Sequence, residues 1–194
     1  LEKGVSMEQS VSGRTVQATL TGNTINGNAV GVDVVGSAAS ALLENNDLVG
    51  NTTAAIRVSG SAKVDAGDCQ DRDHTGLGTG SAPNGSSAGD NDFTGYGFDN
   101  TAPWAVQNLN GATERDVLAE LNDYGVMAGD SVDDLLFDKT DSPARSKVHA
   151  SQPGSLLVTA PPNAGAVQCL GSIQAGANSL TQFLALGGTV SSTP

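Results

Sequence analysis

The segment LTGNTI at residues 20–25 returns as LENNDL at residues 43–48, 23 positions further along the chain. Each copy begins with leucine, carries asparagine at its fourth position, and ends on an apolar residue after one polar residue. The match continues downstream, where the dipeptide Gly-Asn at residues 27–28 returns at residues 50–51. A repeat of this length predicts stacked structural units that bury one shared core.

Residues inside the repeat alternate in a way that is typical of β-strands. In residues 30–34 the three valines face one side, while Gly31 and Asp33 face the other. GVDV at residues 31–34 returns as AIRV at residues 55–58, 24 positions later, so one residue has been inserted. Glycine and asparagine tolerate positive φ and mark the corners. We therefore predict an all-β fold, a right-handed parallel β-helix solenoid with three short strands per turn.

Four asparagines occupy the same place in this repeat. Asn23 and Asn46 correspond directly, and Asn91 and Asn122 are each followed by aspartate and an aromatic residue. Asparagines at one corner of successive coils form a ladder in which each side-chain amide bonds to the next and satisfies buried polar groups. The alternative is that they are unrelated turn residues.

Composition agrees with a solenoid and excludes a nucleic-acid surface. Aromatic residues make up only 4% of the 194 residues, and 25 residues are glycine. A stacked coil needs few large side chains, because its neighbours bury the rest. The formal net charge of -12 comes with only nine basic residues, which are too scattered to replace phosphate counterions. An acidic surface instead favours solubility.

The later part of the chain resembles a known family. The segment LNDYG at residues 121–125, then VDDLLFDKTDSP at residues 132–143, then Lys147 and Val148, is similar to the closing coil of extracellular bacterial right-handed β-helix proteins, the pectate-lyase-like superfamily. The resemblance covers roughly residues 1–150. It implies a β-helix fold, and a function among lyases, hydrolases, adhesins and fibre proteins.

The same resemblance implies a local structure near residue 131. The segment after Asp130 should form a short helix or turn over the final coil, with Ser131 as its N-cap. Asp133 and Asp134 would lie in its first turn, where the helix dipole favours negative charge. These aspartates would then be structural.

The chain divides into two parts. Residues 1–150 form the β-helix, with a long loop at about residues 69–90. Residues 151–194 are a Pro/Gly/Ser-rich tail without a charged side chain, which we expect to pack as extended strands on the solenoid or on a neighbouring subunit. The first coil has no amphipathic capping helix, so a preceding segment or another subunit should cover it.

The state of the two cysteines depends on the redox environment of the protein. Cys69 and Cys169 would pair as a disulfide in an oxidising compartment, or remain as two free buried thiols. No stretch approaches the roughly 20 apolar residues of a transmembrane helix. We expect an extracellular or cell-surface location.

Oxygen ligands are concentrated after Val64. Asp65, Asp68, Asp71 and Asp73 suit the oxygen preference of calcium, although their order does not match an EF-hand loop. The alternative is a solvated acidic loop. No other cofactor is indicated.

Two further groups of residues point to glycans. Asn51 and Asn84 satisfy the N-glycosylation sequon, a short pattern that also arises by chance. Trp104 and Tyr96 are candidates for stacking on sugar rings, and core packing near a coil end is the alternative.

No catalytic residues are assigned from the sequence. Neither histidine has a recognisable serine or cysteine partner, and no carboxylate pair stands out as a glycosidase site. We therefore expect a structural or surface protein, leaning against an enzyme, whose β-helix subunits assemble head to tail into filaments. The alternatives are a polysaccharide lyase or hydrolase, and a carbohydrate-binding adhesive module.

Overall fold

In a computed structural model, the chain is a parallel β-solenoid built from two five-stranded parallel sheets. The structure describes residues 1–67, 87, 89–120, 122–125 and 131–150, together with the strand backbone at 157–159 and 189–191. The first sheet contains, in spatial order, β1 (Lys3–Glu8), β3 (Val30–Val35), β5 (Ala54–Ser59), β7 (Trp104–Asn108) and β9 (Leu136–Phe137). The second contains β2 (Val16–Thr21), β4 (Ala39–Glu44), β6 (Lys63–Asp65), β8 (Val117–Ala119) and β10 (Val148–Ala150). The predicted all-β parallel solenoid is confirmed.

The third side of each coil is shorter than we predicted. Instead of a third strand, single parallel bridges join Thr24 to Asp47, Asp47 to Asp92, and Asp92 to Asp123. The reason is the turn chemistry around each bridge. An asparagine precedes each bridge residue, and a glycine follows two or three positions after it, so the chain bends on both sides. Each described coil therefore has two strands and one bridged corner.

The core is formed by inward side chains stacked in register. Val32 pairs with Ile56, Ile56 with Val106, and Val106 with Leu136, so one column of apolar residues runs through four coils. All four side chains are buried. Because each coil covers its neighbour, a few aliphatic residues per turn suffice to build a core.

Gly31 departs from the predicted alternation. A Cβ atom at Gly31 would lie 2.6 Å from the carbonyl oxygen of Ala55 and 2.9 Å from Nδ2 of Asn51. This position therefore faces the inner corner of the coil rather than the outside, and only glycine fits the close approach.

The closing coil forms as the family resemblance implies. Residues Val132–Leu135 form a 3₁₀-helix, and the Ser131 hydroxyl accepts a hydrogen bond from the backbone N–H of Asp133 at 3.2 Å. The cap is confirmed. Burial, together with the charges of Asp138 and Asp141, raises the pKa of Asp133, so its carboxylate opposes stability at neutral pH.

The tail contributes a separate small sheet. Strands β11 (Leu157–Thr159) and β12 (Thr189–Ser191) pair antiparallel and join neither solenoid sheet. The predicted packing of the rest of residues 151–194 lies outside the described residues. No helix in the described part of the chain has the length and apolarity to cross a membrane.

Candidate interaction surface at the first coil

The four predicted ladder asparagines are hydrogen-bonded in one column. Nδ2 of Asn23 donates to Oδ1 of Asn46 at 3.1 Å, and Nδ2 of Asn46 donates to Oδ1 of Asn91 at 2.8 Å. Nδ2 of Asn91 donates to Oδ1 of Asn122 at 2.9 Å. In each step the backbone N–H of the donor residue reaches the same oxygen. Every bond therefore runs in one direction, from an earlier coil to a later one.

A second column, which we did not predict, runs beside the first. Nδ2 of Asn28 donates to Oδ1 of Asn51 at 3.3 Å, and Nδ2 of Asn51 lies 3.4 Å from the hydroxyl of Tyr96. That hydroxyl donates to the carbonyl of Leu48 at 2.6 Å, and burial raises the pKa of Tyr96. The signal was present in the sequence, because each member follows a ladder asparagine by five positions.

This column corrects the glycosylation prediction for Asn51. Only 1% of Asn51 is exposed, and its Nδ2 atom donates to the carbonyls of Ile25 and Leu48, both at 2.8 Å. The nitrogen that would carry a glycan is thus buried and already bonded, so the sequon prediction is wrong at this residue. Asn84 lies outside the described residues.

The sugar-stacking prediction for Trp104 and Tyr96 is also wrong. Tyr96 is 4% exposed and Trp104 is 8% exposed, so neither ring presents a face to solvent. Tyr96 ends the second column, and Trp104 packs against Phe137 with ring centroids 5.5 Å apart. The alternative of core packing accounts for both residues, because a buried ring stabilises by the apolar area it removes from water.

The Asp65 side chain is hydrogen-bonded to the backbone in this structure. It is fully buried, and its carboxylate accepts hydrogen bonds from the backbone N–H groups of Gly67 and Ser87, both at 3.1 Å. These bonds attach the end of the long loop to β6. The other candidate calcium ligands, Asp68, Asp71 and Asp73, lie outside the described residues, as do the candidate disulfide partners Cys69 and Cys169. No cluster of three metal-binding side chains occurs among the residues that the structure describes.

A charged group spans the first three strands of the first sheet. Asp33 is only 1% exposed, and Nζ of Lys3 lies 2.6 Å from its carboxylate. The Arg57 guanidinium binds the two carboxylate oxygens at 2.8 and 3.0 Å. Burial alone raises the pKa of Asp33, but the hydrogen bonds from Arg57 and Lys3 outweigh it, so the pKa lies below its ordinary value.

We expect Asp33→Asn to reduce stability at pH 7 by about 1–2 kcal/mol and to flatten the acid limb of the stability curve. Because the folded pKa of Asp33 is depressed, its contribution is full above the ordinary carboxylate value near 4 and disappears as pH falls through the folded pKa. Urea unfolding between pH 2.5 and 7 measures this effect. Asp99→Asn is the control, since Asp99 is exposed; equal pH dependence in both variants would contradict the assignment.

A second pair, which we did not predict from the sequence, is a hydrogen bond between Asp116 and His149 that joins the last two coils. Nε2 of His149 lies 3.0 Å from the Asp116 carboxylate, which also accepts the backbone N–H of Lys147 at 2.9 Å. Burial alone raises the pKa of Asp116, but the bonds from His149 and Lys147 lower it below its ordinary value. The two residues are 33 positions apart in the sequence, which gave no sign of this pairing.

Among the described residues, the first coil has a neighbouring coil on one side only. Strands β1 and β2 are the edge strands of their sheets. Their inward residues, which later coils bury completely, are here only partly buried; they are Val5, Val16, Ala18 and Leu20. The large apolar residues that are exposed in the described structure, Leu1 at 94% and Val11 at 58%, lie in the same coil.

The opposite end differs, because its apolar residues are covered. Leu135 and Val132 of the 3₁₀-helix are 0% and 2% exposed, and Val148 of the last coil is 3% exposed. The Asp138 carboxylate joins this end together by accepting the backbone N–H groups of Thr140 and Val148, at 2.6 and 2.7 Å. The two ends of the described solenoid therefore differ: apolar residues of the first coil are partly exposed, and those of the last coil are buried. We call them the open first coil and the closed last coil.

Comparison with known proteins adds no family to this description. No protein-family model, no curated protein and no solved structure matches this chain.

Proposed function

We propose that this chain is an extracellular structural or surface protein whose solenoid subunits assemble head to tail through the open first coil. The observation that carries the proposal is that, in the described part of the chain, β1 and β2 each have a neighbouring strand on one side only, with partly exposed apolar residues between them. The resemblance to extracellular β-helix proteins supports a location outside the cytoplasm.

The open edge is favourable for association by strand addition. A free strand edge presents unpaired N–H and C=O groups, and it pairs readily with another chain unless it is short, charged or interrupted by proline. β1 and β2 are six residues each, and neither contains proline; β2 also has no charged side chain, whereas β1 carries Lys3 and Glu8. The partly buried side chains of Val16, Ala18 and Leu20 would gain hydrophobic stabilisation when a further strand covers them.

The asymmetry of the solenoid supports a head-to-tail arrangement. Two open ends could form a closed, two-fold dimer, in which the same surface is buried on both copies. When different surfaces meet, the contact repeats from copy to copy and builds a filament unless it closes into a ring. The open first coil and the closed last coil are different surfaces, so we infer the second arrangement.

The two carbohydrate alternatives, an enzyme and a binding module, have less structural support. The aromatic residues predicted for sugar stacking are buried, and Asp65 is held by backbone N–H groups. A polysaccharide cleavage assay with added Ca²⁺ remains the direct test of a lyase or hydrolase.

We expect Leu20→Lys to abolish self-association while leaving the solenoid folded. Leu20 is only partly buried in one copy, so lysine can keep its aliphatic stem over the core and place its ammonium in water. In an assembled contact that ammonium would be buried without a partner, which is strongly unfavourable. Light scattering over a concentration series, with negative-stain electron microscopy, measures the effect.

Gln17→Lys is the matched control for this experiment. Gln17 lies on the same strand but is exposed, so the added charge is the same and the covered face is untouched. Association that is lost in Leu20→Lys and kept in Gln17→Lys supports the proposal. A wild-type chain that stays monomeric at millimolar concentration, or a Leu20→Lys variant that assembles normally, would rule it out.

A further inference from the structure

Two Asn-Gly dipeptides lie in the described part of the chain, and their surroundings are opposite. Asn26-Gly27 is at the bridged corner of the first coil, and Asn110-Gly111 lies shortly after β7. Asn26 is exposed, whereas Asn110 is 0% exposed. A third such dipeptide, Asn84-Gly85, lies outside the described residues.

An asparagine that is followed by glycine can lose its side-chain amide without an enzyme. The backbone nitrogen of the glycine attacks the side-chain carbonyl carbon, a new C–N bond closes a succinimide ring, and the amide group leaves as ammonia with the proton of that nitrogen. Water then adds to one of the two ring carbonyls and opens the ring to aspartate or to isoaspartate. Glycine favours the reaction, because it has no Cβ atom to crowd the ring and its backbone is permissive.

No hydrogen bond in the described structure restrains the two reacting groups of Asn26-Gly27, the side-chain amide and the Gly27 N–H. A Cβ atom at Gly27 would meet nothing within 4 Å, so the ring has room to close. Nδ2 of Asn28 donates to the backbone carbonyl of Asn26 at 2.9 Å. This bond draws electron density from the peptide bond between Asn26 and Gly27, which makes the attacking N–H a better acid.

Asn26 lies on the flank of its coil and not on the face that stacks against a neighbour. Val49 and Thr94 hold the same corner position in later coils, which have a bridged neighbour on both sides, and both are still partly exposed. Gly50, at the position of Gly27, is exposed as well. Solvent therefore reaches this position whatever lies against the first coil.

Asn110-Gly111 is the matched case in which both reacting groups are held. Nδ2 of Asn110 donates to the carbonyls of Ala62 and Arg115, at 3.0 and 2.9 Å. The Gly111 N–H donates to the Glu114 carboxylate, whose negative charge opposes loss of that proton. Attack on Asn110 therefore requires this corner to open first.

We propose that Asn26-Gly27 is a site of spontaneous deamidation in the folded protein, and that the isoaspartate product loosens the second asparagine column. Isoaspartate routes the main chain through the former side chain, so one more carbon atom separates Asn23 from Asn28. Asn28 then loses its register with Asn51, to which its backbone N–H and Nδ2 donate at 3.2 and 3.3 Å. The reaction does not depend on the proposed assembly.

Peptide mapping by mass spectrometry, after incubation of the full chain in mildly alkaline buffer, follows both residues in one sample. In the folded chain we expect conversion at Asn26 to be at least about tenfold faster than at Asn110, because Asn110 must first lose its hydrogen bonds. In strong denaturant the two rates should become similar, since both dipeptides are then exposed. Equal rates in the folded chain, or an Asn26 that stays intact, would overturn the inference.

Two variants separate the effect of the lengthened main chain from that of the added charge. Asn26→Asp carries the charge with a normal main chain, and Asn26→Gln keeps an amide that would have to close a larger ring, which is much slower. Incubation should lower the melting temperature of the wild type by about 2–4 °C and leave Asn26→Gln unchanged. Fresh Asn26→Asp should melt like fresh wild type; if it melts like the incubated wild type instead, the loss of register is overturned.

Discussion

Asn91→Ala is expected to lower the free energy of unfolding by about 3–5 kcal/mol, because it breaks the ladder at its most buried step. Asn91 is fully buried, and its Oδ1 accepts the backbone N–H and Nδ2 of Asn46 at 3.1 and 2.8 Å. Its Nδ2 donates to the carbonyls of Leu43 and Ala66 and to Asn122. Alanine would leave the backbone N–H and Nδ2 of Asn46 without their acceptor, and Oδ1 of Asn122 without its donor. It would also leave a cavity at this step of the ladder.

The control for this loss is Asn26→Ala. Asn26 is exposed at the same bridged side of the first coil, and its side chain makes no hydrogen bond in the described structure. We expect a change within about 0.5 kcal/mol there. Urea denaturation followed by far-ultraviolet circular dichroism compares the two; similar midpoints would mean that the ladder contributes little to stability.

Gly67→Ala should be at least as disruptive, with an expected loss of about 3 kcal/mol or more. A Cβ atom at Gly67 would overlap the carbonyl oxygen of Glu120 on the next coil. The backbone carbonyl of Gly67 accepts the N–H of Glu120 at 3.0 Å, so this close approach is part of coil stacking. Its φ of 148° adds strain for any residue with a side chain.

Gly50→Ala separates the steric overlap from the backbone strain. Gly50 also has positive φ, 73°, but a Cβ atom there would meet nothing within 4 Å. Its expected cost is only the backbone strain, about 1 kcal/mol. Thermal melting of both variants measures the difference, and equal melting temperatures would show that the contact between Gly67 and Glu120 is not limiting.

The repeat made much of this fold predictable. A 23-residue spacing between asparagines, with alternating valines between glycine corners, is enough to predict stacked parallel coils and the ladder residues. The failures share one cause. The sequon at Asn51 and the aromatic residues Tyr96 and Trp104 were assigned by residue type, and residue type does not report burial.

The exposed or buried position of a corner residue depends on what the next coil places against it. Asn51 is buried because Tyr96, which is 45 positions later in the sequence, packs against it on the next coil. The long loop that separates these two residues carries no repeat, so the register across it had to come from the folded chain. The pairing of His149 with Asp116, and of Lys3 with Asp33 and Arg57, has the same origin.

The sequence by itself determined the coil: its period, its glycine and asparagine corners, its few inward aliphatic residues and its ladder. These are local properties, since each depends on backbone geometry and on hydrophobic alternation within one turn. Only the tertiary structure decided which polar groups are buried, which charges pair, and which apolar residues of the described coils stay partly exposed. Those properties arise between coils, where burial raises the cost of every unpaired group and distant residues become partners.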